Sequence, residues 1–191
     1  MILFTYNIHE KSFHIKKKGE KLFISLEKRN VATKKKIMNL QNKRVLVVGT
    51  GVSGIAAVEL LWKKGIDTVL FDLKDTNATR LKNNTGADLN VVLNNLYTLD
   101  SLGVKTVLRC ILINNVNLNE EHLSNIANVY FKLKNCIGVE LFSYHNLGES
   151  KYAALGKTYH KEANWILKSK QLTTAKNFLK NKGVKCKLNR L

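Results

Sequence analysis

Arg44-Val45-Leu46-Val47-Val48-Gly49-Thr50-Gly51-Val52-Ser53-Gly54 reads as an apolar strand, a glycine turn and the first turn of a helix. Working downstream, the same alternation repeats. A helix over Ser53–Lys64 leads to a strand at Thr68–Asp72, then a polar loop. Next come a helix at Asp88–Leu102, a strand at Lys105–Ile113, a helix at Asn119–Leu133 and a strand at Gly138–Phe142. A long loop then reaches a helix at about Ile166–Lys182 and a last strand at Val184–Leu188. Strands alternating with amphipathic helices imply right-handed βαβ units. The expected fold is α/β, a parallel sheet closed as a partial TIM-like barrel or left as an open Rossmann-like sheet. Asn119 suits an N-cap, with Glu120 and Glu121 where the helix dipole favours anions. Gly65, Gly103 and Gly183 each stand just past a helix, where a left-handed C-cap is usual.

Upstream of Arg44 the pattern differs. Phe13-His14-Ile15 and Leu22-Phe23-Ile24-Ser25-Leu26 flank Lys16-Lys17-Lys18-Gly19-Glu20-Lys21, the signature of a β-hairpin. Arg29–Lys36 is polar and basic, like a linker, and Met38 opens a segment that runs straight into the strand. Residues 1–37 are therefore expected to be a basic appendage, and residues 38–191 a single α/β domain.

The chain has 191 residues and a formal net charge of +18. That length suits one domain with a core of its own. A basic balance can serve nucleic acid or an anionic membrane. Here the excess is lysine spread along the chain rather than gathered on a face, which favours compositional bias over nucleic-acid binding. A basic binding protein acting through the N-terminal lysine runs stands as a third functional class. No apolar run approaches the ~20 residues that span a bilayer, and no signal-peptide arrangement is present, so no membrane partner and a cytoplasmic location are expected. Cys110, Cys136 and Cys186 lack metal-ligand spacing and suit buried small hydrophobes in a reducing compartment. Prolines are absent altogether.

The glycine turn carries chemistry of its own. Gly49-x-Gly51-x-x-Gly54 removes side chains where a diphosphate would approach backbone at a helix N-terminus. Asp72, about 20 residues on at the end of the next strand, stands where an acid would meet a ribose. Residues 38–65 resemble the N-terminus of the Mur ligases, specifically the UDP-N-acetylmuramoylalanine–D-glutamate ligase of peptidoglycan synthesis. That resemblance implies binding of a nucleotide diphosphate at Gly49, Gly51 and Gly54. The ligases' ATP-binding central domain and C-terminal domain have no counterpart here, which removes a ligase reaction.

The longer pattern lies downstream. It runs from Asp72-Leu73-Lys74 through Asn84-Thr85-Gly86, Leu108-Arg109-Cys110 and Val116-Asn117-Leu118-Asn119-Glu120-Glu121-His122. It closes on Val139-Glu140-Leu141-Phe142-Ser143-Tyr144-His145-Asn146-Leu147-Gly148-Glu149-Ser150-Lys151-Tyr152 and Leu155-Gly156. Residues 67–191 resemble the C-terminal half of the glycyl-radical enzyme activating proteins, of the radical S-adenosylmethionine group. The resemblance implies a partial barrel with ligands at its strand ends. Asp72 and Lys74 would contact adenosylmethionine, Arg109 would meet its carboxylate, and His145 would lie against the same ligand. It also implies a glycyl-radical enzyme as partner. The family's 4Fe–4S cluster needs three thiolates in a CxxxCxxC loop, and this sequence has none. The expectation is a truncated or chimeric activase-like domain that binds adenosylmethionine weakly and generates no radical. The alternative is a Rossmann-like nucleotide-binding module.

Overall fold

In the structure, a computed structural model, residues 3–8, 11–18, 21–27 and 44–47 are described as backbone strands, and residues 68–145, 158 and 162–189 in detail. The glycine turn at Gly49, Gly51 and Gly54, the helix expected over Ser53–Lys64, the cap at Gly65 and the linker at 29–36 lie outside the described residues.

Eight strands form one sheet in chain order: β1 (Leu3–Ile8), β2 (Lys11–Lys18), β3 (Lys21–Glu27), β4 (Arg44–Val47), β5 (Thr68–Asp72), β6 (Lys105–Leu112), β7 (Cys136–Ser143) and β8 (Cys186–Leu188). The first three pair antiparallel; from β3 to β8 every neighbouring pair is parallel. The expected hairpin is β2–β3, with Lys18 opposite Lys21. It gains an outer strand in β1, and β3 continues the sheet through Leu22–Ile24 against Val45–Val47. The N-terminal strands thus extend the sheet edge.

Among the described residues four α-helices follow the strands: α1 (Ala78–Thr85), α2 (Leu89–Ser101), α3 (Glu120–Lys132) and α4 (Ser169–Asn181). Their caps match the sequence. Asp88 accepts from the backbone N–H of Asn90 and Val91, and Asn119 accepts from that of His122. Gly103 and Gly183 take φ of 73° and 88°, the left-handed conformation that stops a helix without a Cβ clash. The polar stretch after Asp72 is not simply a loop. Residues Ala78–Thr85 are helical, capped by Asn77 at one end and by Gly86 at φ 73° at the other.

Alternation along each strand sorts side chains to two faces. Val69, Phe71 and Leu73, Leu108, Cys110 and Leu112, and Val139 and Leu141 meet the helices through Leu81, Leu96, Ile126 and Leu179. That helix-covered layer is the core. The opposite face carries Leu70 and Asp72, Val107, Arg109 and Ile111, and Gly138, Glu140 and Phe142. At the start of β7 the register slips, so that Thr106 pairs with Cys136 but Val107 with Gly138. Ile137 is the extra residue of this bulge, and it is exposed.

Candidate functional site

The face away from the helices holds a row of charges. Asp72 pairs in register with Arg109, Arg109 with Glu140, and Glu140 with Lys187. Four adjacent parallel strands thus present alternating signs side by side. The contacts divide the row into two pairs. Arg109 Nη1 lies 3.3 Å from Asp72 Oδ1, and Lys187 Nζ lies 2.9 Å from Glu140 Oε1. The second Glu140 oxygen accepts from Asn189 Nδ2 at 2.9 Å. The Arg109 guanidinium also sits 4.5 Å from the centre of the Phe142 ring, which gives its planar cation an apolar support.

Burial opposes ionisation of both acids, and their partners offset it to different extents. For Asp72, burial raises the pKa, and the positive charges of Arg109 and Lys74 only partly offset it, so its carboxyl sits above the ordinary range. For Glu140, burial also opposes ionisation, but hydrogen bonds from Lys187 and Asn189 and the charges of Lys187 and Arg109 outweigh it, so its pKa is lowered. Asp72 is the acid with unmet demand for positive charge or hydrogen-bond donors. A ligand bearing a cation or hydroxyl groups answers that demand. Arg109, 14% exposed at its side chain, offers the matching donors for a carboxylate.

The loops at the C-terminal ends of the strands are built by amides. Asn117, 1% exposed, accepts from the Ile113 N–H at 2.7 Å and donates to the carbonyls of Ile111 at 3.0 Å and Lys74 at 3.4 Å. It therefore links the end of β6 to the residue that follows β5 by two. Asn115 takes φ of 59°, a conformation that asparagine tolerates better than branched residues. Asn114 holds the segment before α4, donating to the Asn164 carbonyl and accepting from Gln171 Nε2. The Trp165 ring of that segment stands edge-on to Tyr144, next to His145.

A second polar cluster lies beneath α1. Both oxygens of Asp75 accept from Arg80, at 2.7 and 2.8 Å, and one also takes the Asn77 N–H. Burial would raise the Asp75 pKa, but these bonds and the neighbouring cations lower it. His122 Nδ1 faces the Thr76 N–H at 3.3 Å and Thr76 Oγ1 at 2.7 Å. Burial, assisted by the charge of Arg80, lowers its pKa to about 4 despite Asp75. His122 is therefore neutral at pH 7, and its 3.7 Å approach to Asp75 is not an ion pair there.

All three cysteines are described, and they test whether this chain can hold an iron–sulfur cluster. Cys110 and Cys186 are buried in the helix-covered core. Burial pushes the Cys110 thiol well up, aided by the nearby Cys186, Asp72 and Cys136. Burial also takes Cys186 to about 11 and raises Cys136. Two of the three lie inside the packed core and none shares a loop with another, whereas a cluster needs three thiolates converging on one site. Among the described residues no three His, Cys, Asp or Glu side chains gather where a metal ion could sit. The cysteines present do not fit a cluster.

Of the residues singled out from the sequence, Asp72 and Arg109 are in direct contact. Lys74 follows β5 by two residues and His145 follows β7 by two, at the same end of the sheet. Gly49, Gly51 and Gly54 lie outside the described residues. The supporting polar residues Glu140, Lys187, Asn189, Asn117, Asp75 and His122 were given no role from the sequence. Glu140 was legible in principle, since an acid at a strand's centre demands a partner. Its partners come from a strand of three residues.

The fold and site define a parallel α/β domain whose helix-free face carries a row of charges, with Asp72 at the C-terminal end of β5. The chain is homologous to the radical SAM activating enzymes of glycyl-radical enzymes. It is 39% identical over 93 residues to the pyruvate formate-lyase 2-activating enzyme of Escherichia coli, covering 49% of this chain and 32% of that protein. It is 29% identical over 125 residues to the 4-hydroxyphenylacetate decarboxylase activating enzyme of Clostridioides difficile, covering 64% and 39%. The chain thus spans between about a third and two fifths of the length of these curated relatives. A crystallised domain of a pyruvate-formate lyase-activating enzyme from Bacteroides vulgatus shares the fold, with a TM-score of 0.58 at 14% identity over 78% of this chain and 82% of that one. The fold also matches coproporphyrinogen III oxidase of Escherichia coli, described as a radical SAM enzyme, at a TM-score of 0.52, 18% identity, and coverage of 74% and 33%. A shorter stretch of 35 residues is 63% identical to the UDP-N-acetylmuramoylalanine–D-glutamate ligase of Lachnospira eligens, covering 18% of this chain and 8% of that protein. No family model matches the chain. Among the described residues no helix is long and apolar enough to cross a membrane.

Proposed function

We propose that residues 67–191 are the ligand-binding half of an activase-like radical SAM domain, with weak affinity for S-adenosylmethionine. The observation that supports this most is the pairing of Asp72 with Arg109 on neighbouring strands. The acid has unmet demand and the guanidinium retains donors, and Asp72 closes β5 at the end of the sheet where parallel α/β folds seat ligands. Asp72 and Lys74 would hold the polar groups of the nucleoside and the sulfonium amino acid, Arg109 its carboxylate, and His145 one side of it. Adenosylmethionine, when bound, brings a sulfonium whose cleavage in this enzyme group is driven by an iron–sulfur cluster. These 191 residues contain no CxxxCxxC loop, and their three cysteines are dispersed, so no radical step is assigned to them. On this reading the chain is a truncated or chimeric activase-like protein, and its partner is a glycyl-radical enzyme of the kind its relatives activate. Its compartment is the cytoplasm.

A second reading rests on the short similarity to the ligase of peptidoglycan synthesis. The glycine turn at Gly49, Gly51 and Gly54 would take a nucleotide diphosphate, with Asp72 on the ribose.

One titration separates the two. Amide NMR with adenosylmethionine should give shifts near Asp72, Lys74, Arg109 and His145 with a dissociation constant of about 1 mM, near −4 kcal/mol. Arg109→Ala should abolish them. Shifts confined to residues 49–54, stronger with UDP than with adenosylmethionine, would replace the first reading by the second.

A further inference from the structure

The charge row contains a competition that its pairing resolves. Arg109 stands in register between two acids, Asp72 on β5 and Glu140 on β7. Its 3.3 Å contact goes to Asp72. Glu140, 5% exposed, is the more deeply buried of the two, and the Arg109 charge acts on it. An acid buried this far binds whichever cation it can reach, because an unpaired charge there is costly. A direct Glu140–Arg109 fork would be bidentate and strong. It would also consume the donors that a ligand carboxylate needs.

What diverts Glu140 is the last strand. Lys187 occupies Oε1 and Asn189 occupies Oε2, each at 2.9 Å, so both carboxylate oxygens are bound from the side away from Arg109. Asn189 is itself fixed by its N–H on the Leu141 carbonyl at 3.0 Å. Lys187 is 65% exposed at its side chain, so it contributes the charge at its tip more than packing.

We propose that Lys187 and Asn189 are positioning residues: by holding both oxygens of Glu140 they keep it off the Arg109 guanidinium, and so leave Arg109 free for the carboxylate of an amino-acid ligand. This rests on the reading of Arg109 as the carboxylate anchor for adenosylmethionine. Neither Lys187 nor Asn189 touches the ligand. Their effect passes through Glu140, which makes the test a double-mutant cycle.

Wild type, Lys187→Met, Glu140→Gln and the double variant are titrated with adenosylmethionine, and the Arg109 Nε–Hε cross-peak is recorded in each without ligand. Lys187→Met should bind about tenfold more weakly, the cost of one charge-assisted pair. In the Glu140→Gln background, removing Lys187 should change nothing, since no carboxylate remains to capture the arginine. The Arg109 Nε–Hε peak should move in Lys187→Met and return in the double variant. Lys187→Gln should reproduce Lys187→Met, which sets aside any effect of the methionine side chain.

An equal loss of affinity in both backgrounds would mean that Lys187 acts only as a distant positive charge, and the inference fails. Unchanged affinity in Lys187→Met, with Arg109→Ala still abolishing binding, would overturn it while leaving the functional reading intact. If wild type binds no adenosylmethionine, the functional reading falls instead. The guanidinium signal then decides: a peak unmoved by Lys187→Met refutes the competition, and one that moves and is restored upholds it.

Discussion

His122 is a residue whose protonation the fold controls. Its ring is 1% exposed, with Nδ1 accepting from the Thr76 N–H, so the proton of the neutral ring sits on Nε2. That atom is buried without a partner among the described residues. The unfolded chain takes up a proton near the ordinary histidine value of 6.5, but the folded chain does so only near 4. Between those limits a falling pH loads the unfolded state first, so stability is full above about 6.5 and is lost as pH drops towards 4. At roughly 1.4 kcal/mol per unit, the loss is about 3 kcal/mol. Urea unfolding at pH 7, 5.5 and 4.5 measures it. His122→Asn keeps an acceptor for the Thr76 N–H and should remove most of the slope. A slope unchanged in the variant would assign the pH dependence to other groups. From sequence this histidine was one letter in a motif. Its behaviour depends on Asp75 and Arg80, which only the packing of α1 brings near it.

At the scale of elements, the joint between α2 and β7 rests on one acid. Asp100, in the last turn of α2, accepts from the backbone N–H of Lys134 at 3.0 Å and of Asn135 at 2.7 Å, and its own carbonyl takes Asn135 Nδ2. These bonds cross 34 and 35 residues of chain and fix the turn that launches β7. Asp100→Ala should cost about 1–2 kcal/mol, because two backbone donors lose a charged acceptor at a half-covered site. Hydrogen exchange at Lys134 and Asn135 should quicken in step. Exchange that stayed slow would mean that the turn holds itself. Helix α1 makes the complementary point. Ala78–Thr85 buries a single side chain, Leu81, so it shows almost no apolar period. It is held by the Asn77 cap, the Arg80–Asp75 bonds and the Gly86 stop, all contacts within a few residues of the helix itself.

For the whole molecule, residues 69–188 by themselves supply a contiguous helix-covered core. The N-terminal strands reach the α/β body through the pairing of β3 with β4. We expect that deleting residues 1–37 leaves the body folded with a similar urea midpoint, and that it exposes β4 as a new sheet edge. An uncovered parallel edge invites pairing between chains, so the shortened protein should associate as its concentration rises. Light scattering and unfolding of both forms check this. A large fall in midpoint would make the N-terminal strands part of the folding unit.

The alternation from Arg44 onward determined the α/β class and the parallel order, because apolar period and length separate strands from helices without knowledge of partners. Asn119, Gly103 and Gly183 were equally legible, since a cap acts on its own neighbours. The sequence motifs also brought out Asp72, Lys74, Arg109 and His145 as one constellation. What they could not contain is the row in which Arg109 stands. Glu140 and Lys187 lie 47 residues apart in the chain and become neighbours only through the register of β7 with β8. A one-residue slip would send Glu140 to the core face and leave Arg109 with a single acid. The identity of the charges is a property of the sequence. Which of them meet is decided by strand register and burial, because ion pairing depends on distance and on exclusion of water.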